Sequence, residues 1–224
     1  MYERSWRIIC GIPVLILGES GSGKSCSLRN FNKDDLVIYN VAGKPLPFKK
    51  QFNVADNVTY NQIETNMKKG KFKTYVIDDS QYLMAFESFD KAKETGWNKN
   101  IDLASNFKNL IQCAIKNTQK DTIVYFLHHI ETTETGKIKA KTLGKMLDNQ
   151  LTLEGLFSVV LLCKVDGQEH YFETQSDGRT TCKSPMGMFE FKIDNDLKMV
   201  DTTIREYYGF NNDKSELTTK STNK

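Results

Sequence analysis

Eight consecutive residues, Gly18-Glu19-Ser20-Gly21-Ser22-Gly23-Lys24-Ser25, constrain this chain more than any other stretch. They satisfy G-x-x-x-x-G-K-[S/T] at every fixed position. An apolar run from Ile12 to Leu17 precedes them, and a segment able to turn helical, Ser25 to Phe31, follows. Strand, loop and helix in that order are the context in which the motif has meaning. Glycines let the backbone close around phosphate oxygens, and successive N–H groups form an anion nest. The following helix aims its positive end at the same charge. Lys24 is expected to reach the outer phosphates as a point charge, and Ser25 to give its hydroxyl to Mg²⁺. The expected phosphate-binding set is therefore Gly18 through Ser25, with Cys26 as a small neighbour at the start of the helix.

Two further apolar runs end in chemistry. Phe72 to Ile77 closes on Asp78-Asp79, an acidic pair at a strand's C-terminal end and the second half of a nucleotide site. One carboxylate holds the magnesium water shell, and Asp78 and Asp79 compete for that role: the count of strand positions favours Asp78, leaving Asp79 to orient the attacking water, whereas reading Asp79-Ser80 as the metal-binding pair favours Asp79. A plain acidic cap on the next helix is the competing reading. Thr122 to Leu127 closes on His128-His129. Either histidine at such a place can simply terminate the strand, but His129 is also placed to bond a terminal phosphate and relay its loss to the following loop. With no third ligand in sight, the pair does not read as a metal site.

The remaining chain alternates strands and helices. Leu36 to Tyr39 reads as a strand, and Gly43-Lys44-Pro45-Leu46-Pro47 as irregular, since two prolines bracket a leucine. Tyr60, Ile63 and Met67 mark a short helix stopped by Gly70. Ser80 to Glu94 reads as a helix broken by Gly96-Trp97-Asn98-Lys99-Asn100. Leu103 to Ile115 carries helical i, i+3, i+4 spacing. Glu131 to Thr142 is polar and reads as a mobile loop, and Leu143 to Gln150 as a short helix. Phe157 to Val165 is a strand, with Asp166-Gly167 as a hairpin turn and Tyr171-Phe172 on the returning strand. Leu197 to Tyr208 makes the last helix. This is an α/β pattern: a largely parallel sheet with helices on both faces and an antiparallel hairpin near the C-terminus. Ligands in such sheets sit at the strands' C-terminal ends, where the phosphate loop, the acidic pair and the histidines all fall. Trp6, Ile8 and Ile9 are expected to cover one sheet edge.

Composition sets outer bounds. The 224 residues are 39% hydrophobic and 26% charged, which suits one domain over 1–210 with a polar, disordered tail over 211–224. A net charge of +3 is too mild to announce a nucleic-acid partner by itself. Five scattered cysteines, with no recognisable leader, read as reduced thiols in a cytoplasmic protein. No run approaches the roughly 18 apolar residues of a membrane span.

Three places suggest contact with a polyanion. Lys137, Lys139 and Lys141 share one face of an extended strand and form a small basic comb, although a solvated charge run is the plainer reading of these lysines alone. Trp97 beside Lys99 pairs a ring able to stack on an unpaired base with a cation, although packing beneath its helix is the plainer reading. Lys183, in Lys183-Ser184-Pro185-Met186-Gly187-Met188-Phe189, is a candidate for reaching a neighbouring subunit's nucleotide, with Arg179 as its rival.

The order of parts resembles the RecA-type ATPase core. It is most similar to small phage-encoded RecA-like single-strand annealing and recombination ATPases. The carrying residues are 18–25, Lys-Pro-Leu-Pro-Phe at 44–48, Val-Ile-Asp-Asp-Ser-Gln-Tyr-Leu at 76–83, Gly-Lys-Met-Leu-Asp at 144–148, Glu-Gly-Leu-Phe-Ser-Val-Val-Leu at 154–161, and 183–189. The resemblance implies an ATPase that uses Mg²⁺ and binds single-stranded DNA in phage homologous recombination or annealing. It implies a ring or filament of like subunits, with a single-stranded-DNA-binding protein as a further partner. It puts a first DNA loop near Trp97 and Lys99, a second at Glu131–Thr142, and Lys183 across a subunit interface. Two departures stand out. RecA-type enzymes place a glutamate just after the second strand, where this chain has Tyr39-Asn40-Val41, so turnover is expected to be slow or to lean on Asp79 or Glu19. The chain also lacks room for an N-terminal polymerisation domain. Two alternatives remain: a P-loop phosphotransferase acting on a small molecule, against which the arginine-free stretch 131–142 counts, and a nucleotide-gated scaffold with little hydrolysis.

Overall fold

Parallel strands buried on both faces need near-continuous apolar sequence, and four segments of this chain supply it. In the computed structural model, which describes residues 11–93, 97–143 and 152–210 (97–100 as backbone only), β1 (Gly11–Gly18), β2 (Leu36–Asn40), β4 (Thr74–Asp78) and β5 (Thr122–His128) are buried at every position. They belong to an eight-stranded sheet with β3 (Asn53–Asp56), β8 (Val159–Asp166), β9 (Glu169–Glu173) and β10 (Lys192–Asp194), in the order β10-β9-β8-β1-β5-β4-β2-β3. From β8 to β3 neighbours run parallel; β9 and β10 add the antiparallel section. A proline is unusual in a central strand, but Pro13 precedes Val14, where β8 begins to pair with β1.

Alternation along β1 builds two cores. Leu15 and Leu17 face one cluster with Ile63 and Met67 of α1 (Tyr60–Lys69), Leu83 and Met84 of α2 (Gln81–Asp90), and Phe107 and Leu110 of α3 (Trp97–Lys116). Val14 and Ile16 face the other, with Leu28 and Phe31 and with Leu197, Val200 and Ile204 of α4 (Leu197–Tyr207). Helices thus cover both faces. Among the described residues no helix is long and apolar enough to cross a membrane.

Several expected boundaries shift. The segment after the phosphate loop is a six-residue 3-10 helix, Ser25–Asn30, so its dipole is shorter than an α-helix would give. The break expected at Gly96–Asn100 does not extend over 97–100: Trp97 and Lys99 lie in the first turn of α3 rather than in a loop. The polar stretch 131–142 is not an open loop but a hairpin, β6 (Ile130–Thr132) pairing with β7 (Ile138–Ala140). Alternating Ile130 and Ile138 pack onto the core, which a reading by polarity overlooks. The turn after β8 centres on Gly167 and Gln168, one residue later than Asp166-Gly167, because Asp166 already pairs with Glu169. The expected helix at 143–150, the edge cover by Trp6, Ile8 and Ile9, the segment 144–148 and the tail 211–224 fall wholly or almost wholly outside the described residues.

At the end of the sheet opposite the phosphate loop, α4 is clasped by a buried charge. Asp201 accepts from Thr74 Oγ1 (3.1 Å), Tyr125 Oη (3.3 Å) and Arg205 Nε (2.6 Å), while Arg205 also donates to the Asp121 and Lys73 carbonyls. Removing one partner leaves the others desolvated and unpaired. Asp201→Ala is expected to lower unfolding free energy by about 3–5 kcal/mol, as read from urea denaturation.

Candidate functional site

The Gly18–Ser25 loop, the expected phosphate loop, leaves β1 at Gly18 and needs glycine at particular places. At Gly23 φ is +102°, and a Cβ there would lie 2.8 Å from His170 Nδ1; at Gly18 a Cβ would lie 2.4 Å from Ser22 Oγ. Lys24 is buried and donates from Nζ to the carbonyls of Gly18 (2.8 Å) and Glu19 (2.7 Å), so its ammonium sits across the loop's mouth. Burial lowers its pKa, and Asp79, Cys163 and Asp78 oppose that. The loop is held from behind as well. Ser22 O accepts from Cys163 Sγ (2.9 Å) and from His170 Nδ1 (2.8 Å). A carbonyl can only accept, so Nδ1 of His170 carries its proton. Burial pushes the Cys163 thiol up to about 11, so it is a structural donor rather than a nucleophile.

Across β5 from the loop stand the two aspartates. Ser25 Oγ donates to Asp78 Oδ1 at 3.0 Å, linking residues 53 positions apart in sequence. Consecutive strand residues normally point to opposite faces. Asp79 escapes this by adopting φ +57°, a left-handed conformation uncommon outside glycine, and both carboxylates line one cleft. Burial and then the neighbouring Asp79 raise the pKa of Asp78, against the pull of Ser25 and Lys24. Burial acts on Asp79 in the same sense, but His129 and Lys44 outweigh it and bring Asp79 down to about 2. His129 Nε2 lies 3.2 Å from Asp79 Oδ1, and Lys44 Nζ lies 2.5 Å from Oδ2. Both oxygens of Asp79 are therefore capped.

His128 plays a different part from its neighbour. It is fully buried and neutral, with burial lowering its pKa to about 4. Nε2 lies 2.8 Å from the Lys141 carbonyl and must be the protonated nitrogen; Nδ1 then accepts from Ser80 Oγ at 2.8 Å. The imidazole bridges the turn after Asp79 to the foot of the β6–β7 hairpin.

The cleft between loop and aspartates has a volume of about 400 Å³. Its donor set suits a magnesium–triphosphate: a buried lysine and loop amides for the phosphates, and one hydroxyl plus one carboxylate for the cation. Among the described residues no group of three or more His, Cys, Asp or Glu could hold a metal alone. Two protein oxygens match magnesium, which keeps waters and takes phosphate oxygens for the rest of its shell.

The expected residues divide by location. Ser20, Gly21, Gly23, Lys24, Ser25, Cys26, Asp78, Asp79 and His129 line this cleft, while Glu19 and Ser22 line a second hollow of about 310 Å³ between the loop and Ile130 and Ile138 of the hairpin. The lysine comb is partly neutralised: Lys139 Nζ lies 2.8 Å from Glu131 Oε1, with Lys137 and Lys141 exposed on either side. The backbone of Lys183 pairs with Val160, the neighbour of Val159, which sits opposite Val14 of β1, three residues up-strand from Cys163 beside Gly18. Within one chain Lys183 is thus removed from the cleft. Arg179 is exposed, and its carbonyl accepts from Ile138 N (2.8 Å), which puts it beside the hairpin.

Beside Pro45 and Pro47, three polar cleft residues were given no role by the sequence: Asn40, Lys44 and His170. Asn40 ends β2 in register with Asp78 and Asp56, and donates to Asp56 Oδ1 (2.6 Å) and the Lys44 carbonyl (2.7 Å). The signal for Asn40 was its place at a strand's C-terminal end, the rule that singled out Asp78. For Lys44 it was a lone cation bracketed by Gly43 and Pro45. His170 carried none, because its approach depends on an antiparallel strand joining the sheet. Comparison with protein-family models and with characterised proteins found no match for this chain.

His128 makes stability depend on pH. Its folded pKa lies below the ordinary histidine value of about 6.5, so the unfolded chain takes up a proton that the folded one refuses. The contribution is complete above pH about 6.5 and is lost as pH falls towards 4, by about 3 kcal/mol in all. Urea midpoints measured across that range are expected to decline in the parent protein and to flatten in His128→Gln.

Proposed function

We propose that this protein is a magnesium-dependent ATPase with a RecA-like core that acts on single-stranded DNA. The observation that carries the reading is the hydrogen bond from Ser25 to Asp78. It joins a phosphate loop to an acidic strand end, with a buried lysine alongside, and that constellation serves phosphoryl transfer. The strand arrangement supports the RecA-like assignment: β5, ending in His128-His129, lies between the loop strand β1 and the acidic strand β4. A polar strand end is thereby interposed between the terminal phosphate and the hairpin that follows. The hairpin's exposed Lys137 and Lys141 support a polyanion partner contacted there. Trp97 and Lys99, on the first turn of α3, are a second candidate contact. Assembly into a ring or filament, with Arg179 or Lys183 reaching a neighbour, completes the proposal, as does a role in phage recombination beside a single-stranded-DNA-binding protein.

A nucleotide-gated scaffold with little turnover is the second reading. The capping of both Asp79 oxygens favours it, since a carboxylate held near pKa 2 is a poor base.

ATP turnover with and without single-stranded DNA tests the first reading, which expects stimulation. Binding with no turnover supports the scaffold, and turnover only with an added small acceptor supports a phosphotransferase. Lys24→Ala is expected to abolish nucleotide binding or hydrolysis. Lys139→Ala with Lys141→Ala is expected to weaken DNA binding and flatten its salt dependence, by a slope of about 2 at most. Unchanged DNA affinity in that double variant removes the hairpin from the interface.

A further inference from the structure

Lys44 stands out among the groups around the cleft. It rises from the loop after β2, where Asn40 holds its carbonyl at 2.7 Å, so its backbone is fixed while its side chain stays 62% exposed. Its ammonium lies 2.5 Å from Asp79 Oδ2 and 5.8 Å from the centre of the Tyr82 ring. Lys24, by contrast, is buried under the loop. Lys44 is thus an exposed cation at the aspartate end of the cleft, where the phosphate farthest along the loop must lie. Its ion-pair partner among the described residues is the buried Asp79, whose other oxygen His129 also holds, so Asp79 keeps one partner when Lys44 leaves. A terminal phosphate carrying two negative charges can outcompete a single carboxylate for it.

We propose that Lys44 is a catalytic residue supplied in cis, released from Asp79 by the terminal phosphate of a bound nucleoside triphosphate. This rests on the nucleotide-site reading above. With Lys44 on the phosphate, Asp79 Oδ2 is uncapped while His129 keeps Oδ1. The freed oxygen accepts a hydrogen bond from water and orients it. The water oxygen bonds to the terminal phosphorus as the bond from that phosphorus to the bridging oxygen breaks. The bridging oxygen departs with the electron pair on the diphosphate, and the water proton passes to an oxygen of the released phosphate. Lys44 neutralises charge on the transferring group throughout. A diphosphate lacks the third phosphate, the one that reaches the aspartate end of the cleft, so Lys44 stays on Asp79 and the site remains closed to water activation. This arrangement answers the missing acid after β2 with a cation from the same loop.

Steady-state turnover and nucleotide binding in the parent protein, Lys44→Ala and Lys44→Arg test the idea. Lys44→Ala is expected to lower kcat about a hundredfold and leave ADP affinity unchanged, and Lys44→Arg to restore part of the rate. Because the side chain is mostly exposed, the thermal midpoint is expected to hold. Mixing Lys44→Ala with Lys24→Ala chains separates cis from trans: no recovery of activity is expected, and recovery overturns the assignment in cis. Parental kcat in Lys44→Ala overturns the catalytic role, and so does a parent protein that binds ATP without hydrolysing it. A parent protein that binds neither ATP nor ADP with magnesium present sinks the nucleotide-site reading itself, and the proposal with it.

Discussion

Everything in this site depends on parallel strands being buried on both faces. That burial demands the apolar runs in β1, β2, β4 and β5, and it forces their polar residues to the ends. Because the strands run parallel, those ends share one rim of the sheet. Gly18, Asn40, Asp78 and His128 are each the last residue of a strand. Residues far apart in sequence are delivered to a common line by register alone. The side chains beyond that line then close the contacts: Ser25 on Asp78, Lys44 and His129 on Asp79.

The parts of the site that were legible in the sequence are those whose neighbours are local. The phosphate loop is a contiguous motif, and the acidic pair follows its own apolar run. The partners of Asp79 were legible only in part. His129 could be suspected from its strand end, but Lys44 arrives from a loop whose course the prolines hide. Asn40 was noted as the absence of an acid, not as a group that binds Asp56. The short edge strands β3 and β10, half exposed and four and three residues long, gave no periodic signal. The hairpin at 130–140 was masked by its composition. Only Ile130, Ile138 and Ala140 turn inward, and the Thr- and Lys-rich remainder reads as a loop. Lys183 shows what sequence could not place: its backbone pairs with Val160, near the start of β8, away from the cleft of its own chain.

Electrostatics divides the two neighbouring aspartates into different roles. Asp78 is buried, and burial and the adjacent Asp79 disfavour its anion. Asp79 is an anion already, satisfied by two side chains. The left-handed backbone at Asp79 is what allows the two to share a cleft at all, and it carries a modest conformational cost. That cost is offset where the next residue, Ser80, donates its amide to Leu127 O at 2.9 Å and its hydroxyl to His128.

The His128 bridge has a mechanical consequence. One imidazole, with no freedom to titrate near neutral pH, joins Ser80 to the Lys141 carbonyl, and the Lys141 amide returns to His129 O at 2.9 Å. Farther along, buried Glu154 grips Ala140 N at 2.8 Å. The base of the hairpin is therefore anchored through Lys141 and Ala140, and the Ile138 amide adds a bond to the Arg179 carbonyl. The aspartate turn and the foot of the hairpin thus share one ring as a common strut, and neither can be repositioned without breaking a hydrogen bond to it.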